Sequence, residues 1–449
     1  MKNKILTKLI GLGLVSVLVS GQLIGCGNKT TNNDDMAGSS NTEVQEKSEE
    51  IPEEEEAEEK EVEEVMEDEL QADEEEESES GSKEEDMKVD ISVQAADLAI
   101  DVLKSNDDKN KLISPLSVMM AMGMAANGAA GDTRSELFDS LSISDEELFN
   151  KAMKQYVKAA GKEDSQLKIA NGIWANLDVS VNTKYEKMMG KDYGAKIEAK
   201  EFDASTAEEI NSFVNDNTDG QIEKLFDEVP FDASVILVDA LSFEGKWKEP
   251  FENSDILTGM TFTAEDGNAS EVTMLKGKRD ELIELDDAVG FILPYKGGKY
   301  TFAALLPQEG QSVSEFIGSI DGKKLTDALN NPLEAEVKFF LPEFSFDYNL
   351  ELTDFFMGKG AKKAFSADAD FSEMLGENSG YFISSVLHKT HITLDRAGTK
   401  AAAATDVMVV GSALDMNSVE IYLDRPFVYM ILDSQTNTPV FMGVCDEIK

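Results

Sequence analysis

The chain has few side chains of the kinds that commonly do catalytic chemistry. Only two histidines, His388 and His391, and two cysteines, Cys26 and Cys445, occur among its 449 residues. A catalytic triad or a histidine-rich metal site depends on such residues, and the sequence has no P-loop, GxSxG, HExxH or CxxC motif. His388 ends the apolar segment 384–388, where a buried structural histidine is the ordinary expectation. The sequence therefore predicts a protein that is not an enzyme and that needs no cofactor or metal.

A second pattern is an alternation of small residues after Gly398. One face of the alternation holds Thr399, Ala401, Ala403, Thr405, Val407 and Val409, and the other holds Lys400, Ala402, Ala404, Asp406 and Met408. The first face is uncharged, as a buried strand face requires. Four consecutive alanines, however, favour a helix. The residues alone leave two interpretations open, an alanine-rich helix end and a loop that can become a buried strand.

The amino terminus has the features of an export signal. Lys2, Lys4 and Lys8 precede a short apolar core, and Leu23-Ile24-Gly25-Cys26 resembles a bacterial lipoprotein lipobox. Residues 1–25 are therefore predicted to be a signal peptide cleaved before Cys26, whose thiol would carry the lipid. The apolar stretch is short for a membrane span. We expect a protein anchored by lipid to the outer face of a bacterial membrane, at the cell surface.

An acidic segment separates this signal from the rest of the chain. Residues 43–86 contain 25 Asp and Glu against 3 Lys, nearly half of the formal net charge of −48. Such composition cannot bury a core, so residues 26–88 are predicted to be the lipidated cysteine followed by a disordered tether. The overall charge argues against nucleic acid as a partner. After lipidation only Cys445 remains, which excludes an internal disulfide.

Residues 89–449 are predicted to form one α+β domain. Hydrophobic spacing and capping residues predict helices early in this region, near 95–104, 114–126, 131–141, 145–160, 182–192 and 205–217, and later near 312–330 and 349–358. Apolar or alternating runs predict strands at 167–177, 235–243, 289–306 (a hairpin), 337–346, 386–394, 419–423, 427–433 and 438–445. Helices first and strands later indicate large antiparallel sheets.

Several motifs, in order, resemble one family. They are Asn110-Lys111-Leu112-Ile113-Ser114-Pro115-Leu116-Ser117, Phe243-Glu244-Gly245-Lys246-Trp247, Leu293-Pro294-Tyr295-Lys296-Gly297, Phe340-Leu341-Pro342-Glu343-Phe344, the stretch from Val386 to Thr405, Asp424-Arg425-Pro426-Phe427 and Phe441-Met442-Gly443. Together they cover about 91–447 and resemble the serpins. The resemblance implies three β-sheets, eight or nine helices and an exposed reactive loop between the hinge and Asp424.

The resemblance also implies a function, suicide inhibition of serine proteases and possibly cysteine proteases. A protease cleaves the loop, forms an acyl-enzyme and is trapped when the loop inserts as a new central strand. The hinge would be Gly398, Thr399, Ala401, Ala402, Ala403, Ala404 and Thr405, none of them bulky or charged. A monomer is expected. The alternative is a non-inhibitory binding or scaffold protein of the same fold.

Family spacing places the scissile bond between Ser412 and Ala413, with Leu414 and Met416 as alternatives. Residues 401–424 contain no Lys or Arg, so a trypsin-like target is disfavoured. An elastase-, subtilisin- or chymotrypsin-like protease fits these residues better.

Two features depart from the family pattern. Arg396 and Lys400 stand where relatives usually carry glutamate, close to the point where the sheet opens. The family's sheet-opening cluster would comprise Asn110, Ser114, Ser117, Asp239 and His388, with Asp239 in place of asparagine. A carboxylate beside His388 is expected to raise the pKa of the imidazole and make sheet opening sensitive to pH near neutrality.

Overall fold

The protein is seen in a computed structural model that describes the strand 10–17 and residues 88–162, 165–177, 179–229, 235–376, 381–399 and 418–449. The predicted tether and Cys26 lie outside the described residues. So does the chain from 400 to 417. The compact unit that holds the sheets contains Lys88–Lys449 together with the amino-terminal strand. No helix in the described part of the chain is long and apolar enough to cross a membrane.

Ten α-helices occur in the described ranges. They are α1 (Ser92–Lys104), α2 (Pro115–Gly128), α3 (Gly131–Ser140), α4 (Glu146–Ala160), α5 (Thr183–Tyr193), α6 (Ala204–Asn217), α7 (Val313–Ser319), α8 (Gly322–Asn330), α9 (Thr353–Gly358) and α10 (Ser372–Leu375). The predicted helix 312–330 is two helices, because Ser312 and Asp321 each cap a separate one.

Seventeen strands also occur in the described ranges. They are β1 (Ile10–Val17), β2 (Lys111–Ile113), β3 (Leu167–Asn176), β4 (Lys196–Lys200), β5 (Val235–Phe243), β6 (Gly245–Lys246), β7 (Ile256–Thr263), β8 (Ala269–Leu285), β9 (Ala288–Pro294), β10 (Tyr300–Pro307), β11 (Leu333–Pro342), β12 (Phe344–Glu351), β13 (Tyr381–Asp395), β14 (Gly398–Thr399), β15 (Ser418–Tyr422), β16 (Phe427–Asp433) and β17 (Pro439–Cys445). The predicted helix 349–358 is shorter than expected, since the alternation of β12 continues to Glu351.

The strands form three sheets, and the α+β fold class is confirmed. Sheet A has the order β4-β3-β5-β1-β13-β14-β6, with β12 on the other side of β13. Sheet B contains the second half of β8 with β9, β10, β16, β17 and β2. Sheet C contains β7, the first half of β8, β11 and β15. The long strand β8 belongs to both sheets B and C.

Helix α2 is the central helix of the domain. Ser114 caps it by accepting a hydrogen bond from the Ser117 amide, and Pro115 occupies the first turn, where its missing N–H costs nothing. Every residue of α2 is buried, and it contacts β5 of sheet A and β17 of sheet B. A helix that is apolar all round belongs in a core, which is why this segment lies between the two sheets.

The first described residue after the predicted tether is part of the domain. The Lys88 ammonium pairs with Asp433 and lies over the Tyr156 ring, and the two charged side chains are 12% and 4% exposed. Burial lowers the pKa of Lys88, whereas its partner Asp433 acts in the opposite direction. The folded unit therefore begins at least one residue before the expected boundary at 89.

We expect Lys88→Ala to lower the free energy of unfolding by about 3 kcal/mol, because it leaves a buried carboxylate without its counter-charge. Urea denaturation would measure the loss. The matched control is Lys323→Ala, which breaks the fully exposed α8 pair with Asp327 and should leave the free energy of unfolding almost unchanged, because water screens such a pair. Equal losses in the two variants would show that the Lys88 pair does not hold the amino-terminal end of the domain.

Candidate functional site

The chain turns sharply at the end of β13. The Asp395 carboxylate accepts hydrogen bonds from the amides of Ala397 (2.7 Å) and Gly398 (3.2 Å). Gly398 has φ +151°, and a Cβ at this position would lie 2.0 Å from the carbonyl oxygen of Gly245. Only glycine combines this backbone angle with so close an approach. Residue 398 is therefore fixed by the geometry of the turn.

The two residues after the turn already lie in sheet A. Gly398 and Thr399 form β14, which is antiparallel to β13 with Thr399 opposite Leu394. On its other side β14 pairs with β6, with Thr399 opposite Gly245. Since β6 follows β5 directly, the start of the predicted hinge lies between the strands that flank the middle of sheet A.

An aromatic stack holds Thr399 in place. Its hydroxyl lies 2.6 Å from that of Tyr295, and the side chain is buried. The Tyr295 ring stacks on Trp247 with centroids 4.8 Å apart, and the Trp247 indole N–H donates to the Asp395 carbonyl at 2.9 Å. Burial raises the pKa of Tyr295, so its hydroxyl stays protonated. Two of the sequence motifs thus meet at the hinge.

Arg396, which departs from the family pattern, has a local partner. Its guanidinium makes two hydrogen bonds of 2.9 Å, one to each carboxylate oxygen of Glu343, and its amide donates to the same group at 3.0 Å. The pair is half-buried, and the hydrogen bonds to Glu343 raise the pKa of Arg396. Glu343 belongs to one of the sequence motifs, but no role was predicted for it. Its negative charge, just before the strand that neighbours β13, was the one feature of the sequence that could have indicated a pair with Arg396.

The structure brings together four of the five residues predicted for the sheet-opening cluster. His388 Nε2 accepts from the Ser114 amide at 3.1 Å, and the Ser114 hydroxyl donates to the Val440 carbonyl at 2.8 Å. The Ser117 hydroxyl donates to the Asp239 carboxylate. All four side chains are buried, with Ser114 and Ser117 at the start of α2, Asp239 on β5 and His388 on β13. The cluster therefore ties α2 to β5 and β13.

The fifth residue lies elsewhere. The Asn110 side chain accepts from the amides of Asp446 and Glu447 and donates to the Glu447 carbonyl, all at 2.8–2.9 Å. Asn110 therefore fixes the carboxyl-terminal segment instead of joining the cluster.

The expected effect on His388 is wrong in direction. Burial lowers the pKa of the imidazole to about 3, because the apolar surroundings disfavour the charged form. The ring accepts a hydrogen bond through Nε2, which requires that nitrogen to be unprotonated. His388 is therefore neutral near pH 7 and does not act as a switch there.

Most of the predicted loop lies outside the described residues. This holds for Lys400, for the hinge residues Ala401, Ala402, Ala403, Ala404 and Thr405, and for the candidate reactive positions Ser412, Ala413, Leu414 and Met416. These assignments stay predictions.

Replacing Arg396 by Ala should destabilise the fold by about 1–2 kcal/mol, because the half-buried carboxylate of Glu343 loses its bidentate partner. The swapped double variant Arg396→Glu with Glu343→Arg should recover part of the loss. Chemical denaturation of wild type, Arg396→Glu, Glu343→Arg and the swap gives the coupling energy. If the swap loses as much unfolding free energy as the two single variants together, the two residues do not form a direct pair.

The neutral state of His388 predicts a pH dependence with a definite sign. Below about pH 6.5 the unfolded chain binds a proton at this residue that the folded chain does not bind until about pH 3. As the pH is lowered from about 6.5 to about 3, the free energy of unfolding should therefore fall by up to about 1.4 kcal/mol per pH unit.

His388→Gln should remove that part of the slope, and His391→Gln, which changes the half-buried histidine beside Asp347, serves as the control. Urea denaturation from pH 4 to 8 would measure both. Should His388→Gln not fold, proton NMR of the wild type replaces it, and titration of the folded His388 ring near pH 6.5 would refute the assignment.

Comparison with known proteins gives a single consistent result. Residues 92–447 match the family model described as Serpin (serine protease inhibitor). Human neuroserpin is 27% identical over 372 residues, covering 78% of this chain and 89% of its own. Iripin-8 of Ixodes ricinus is 29% identical over 360 residues, covering 76% and 89%.

Solved structures agree. The native-state crystal structure of tengpin, a thermophilic serpin, has a TM-score of 0.72 and 35% identity over 79% of this chain and 94% of its own. The family model runs from the start of α1 to residue 447, and the relatives and the solved structure each match more than three quarters of the chain. This chain is a member of the serpin family.

Proposed function

We propose that this serpin is an inhibitor that traps serine proteases, and possibly cysteine proteases, by inserting its cleaved reactive loop into sheet A. The protease nucleophile would attack the carbonyl carbon of Ser412 and release the amine of Ala413, leaving an acyl-enzyme. Insertion of the loop would then carry the bound protease away and distort its active site. The observation that supports the proposal is the position of β14, because Gly398 and Thr399 already pair with β13 and β6 and an inserted loop would continue from them.

The register of β14 predicts which residue of β13 each later loop residue would pair with after insertion. Continued without a bulge, it places Ala401 opposite Ile392, Ala403 opposite Thr390 and Thr405 opposite His388. These three partners on β13 are buried. Opposed residues of an antiparallel pair share a face, so the small residues would enter the core while Lys400 and Ala402 face outward.

The pairing of β14 on its two sides predicts the same position for Thr405, at the sheet-opening cluster. Continued along β13, β14 places Thr405 opposite His388, and continued along β5 it places the same residue opposite Asp239. The strand β1 gives independent support, since its residue 16 lies opposite both His388 and Asp239. One residue therefore fits between these two partners, and Thr405 would hold that place after insertion.

The middle of sheet A accepts an additional strand. β1 lies between β5 and β13 and is parallel to both, so these two strands are parallel to each other. A loop returning from the turn at Ala397 would be antiparallel to both and could pair on each side. Since β1 lies within the predicted signal peptide, cleavage before Cys26 would leave this position to the loop.

We further propose the setting of this activity. The lipid on Cys26 and the tether would hold a monomeric inhibitor at the outer face of a bacterial membrane. Its targets would be elastase-, subtilisin- or chymotrypsin-like enzymes, given the absence of Lys and Arg from 401–424.

Incubation of the protein with elastase, subtilisin, chymotrypsin, trypsin and papain tests the proposal. We expect an SDS-stable complex with at least one of the first three, with mass spectrometry showing a released peptide that begins at Ala413, Asp415 or Asn417. Loop cleavage by all of them without any complex would contradict inhibition and would support the non-inhibitory alternative.

A pair of arginine variants tests the insertion step. Ala401→Arg would bury a charge on the inward face at a cost of several kcal/mol, which should slow insertion and raise the molar ratio of inhibitor consumed per protease trapped about tenfold or more. Ala402→Arg adds the same side chain to the outward face and should leave the ratio within about twofold. Equal ratios for the two variants would mean that the loop does not enter sheet A in this register.

A further inference from the structure

Lys88 and Asp433 form the least exposed ion pair in the part of the chain that the structure describes. Their side chains are 12% and 4% exposed, and the two residues lie 345 positions apart. A lysine and a carboxylate that leave water together meet in a medium that disfavours both charges. The pair therefore places an amine, which is a nucleophile when uncharged, directly beside a carboxyl group.

Contacts on both sides hold the Lys88 side chain in one place. Its ammonium lies 3.8 Å from the centre of the Tyr156 ring and contacts the Oδ2 atom of Asp433. The next residue is tied to the same helix as Tyr156, because the Val89 amide donates to the Gln155 side chain at 2.8 Å. Groups held at contact distance react with effective molarities of about 10⁵–10⁸ M. The amine is therefore positioned beside the carboxyl group before any reaction begins.

The Asp433 carboxyl group is oriented through its other oxygen. Oδ1 accepts a hydrogen bond from the Gln435 amide at 3.0 Å, and the Thr436 hydroxyl lies 3.5 Å from it. These donors face the oxygen that would gain negative charge when a nucleophile attacks the carboxyl carbon. Oδ2, which contacts Lys88, is then the oxygen that would depart.

The surroundings of the pair favour the uncharged amine that such an attack needs. Tyr300 lies opposite Asp433 on β10, and both Tyr300 and Tyr156 are buried. Burial lowers the pKa of Lys88, whereas the charge of Asp433 acts in the opposite direction. A desolvated lysine is more nucleophilic than an exposed one, because more of it is present as the free amine.

An exposed pair of the same two residue types shows the contrast. Lys109 and Asp266 lie 2.6 Å apart, and each side chain is 41% exposed. Hydrogen bonds to Asp266 and Glu447 raise the pKa of Lys109, so its amine stays charged and is not nucleophilic. Contact between a lysine and an aspartate is therefore not sufficient, and burial distinguishes the Lys88 pair.

We propose that Lys88 and Asp433 join through an isopeptide bond, which makes this pair a self-modification site of the folded domain. One proton passes from the ammonium to Oδ2 along the existing hydrogen bond, and the free amine then attacks the Asp433 carboxyl carbon. A C–N bond forms, the C–Oδ2 bond breaks, and the oxygen departs as water with two of the three lysine protons. The amide nitrogen keeps the third proton, so the reaction needs no oxidant, cofactor or second molecule.

The bond would attach the predicted tether covalently to the middle of a sheet. Asp433 ends β16, which lies between β10 and β17 in sheet B, whereas Lys88 precedes α1. A pull on the tether would thus be carried into sheet B instead of unwinding α1. A cut between Ser412 and Ala413 would leave the carboxyl-terminal fragment attached through Lys88, and the fragment would be released only from chains without the bond.

Mass spectrometry of the denatured full chain tests the proposal. We expect the wild type to be lighter by one water than its composition requires, and a tryptic digest to contain a branched peptide that joins Lys88 to Asp433. Fragment spectra distinguish this product from loss of water within a linear peptide. The exposed pair is the internal control, because Lys109 and Asp266 should appear only in separate linear peptides.

Lys88→Arg is the matched variant, since it keeps the positive charge but replaces the amine by a guanidinium that stays protonated. It should have its full mass and give no branched peptide. Wild-type protein that yields only linear peptides at both positions, even after prolonged incubation, would overturn the isopeptide bond, and so would a loss of water that persists in Lys88→Arg. If the variant does not fold, the wild-type digest decides alone. Neither result depends on protease inhibition, because the bond would form before the loop is cut.

Discussion

The close approach of Gly398 to the carbonyl of Gly245 is the constraint on which the hinge depends. A Cβ there would lie 2.0 Å from that oxygen, so the chain enters sheet A at a residue without a side chain. Because the backbone can come this near, β14 pairs with β13 and β6 at once. The residues that follow must then be small or apolar on one face, as Thr399 is where it meets Tyr295.

Charged side chains lie beside the point where the chain enters sheet A, whereas the two residues of β14 are uncharged. The chain is strongly acidic, yet the turn is held by a bidentate pair between Arg396 and Glu343 at the rim of the sheet. Such a pair keeps its charges partly in water and satisfies their hydrogen bonds. The departure from the usual glutamate at this position is thus met by an opposite charge within reach.

The cluster beneath α2 shows how a buried polar group can be accommodated without ionisation. His388 accepts from a backbone amide, and its low pKa follows from burial. A buried neutral imidazole with a satisfied nitrogen costs far less than an unpaired charge. Sheet A can therefore keep polar atoms at its centre, where Thr405 would add a hydroxyl between His388 and Asp239 after insertion.

The fold class, most of the elements and the alternation after Gly398 could be predicted from the sequence alone, because apolar periodicity and capping residues are local properties. Ordered motifs also indicated the family before any contact was known. Which side chains contact one another became known only from the three-dimensional fold. It joined Glu343 to Arg396, placed Asn110 at the carboxyl-terminal segment and lowered the pKa of His388 where an adjacent carboxylate had suggested the opposite. Spacing along a chain does not report burial or distance between strands, and those two quantities set the energies of charged and polar groups.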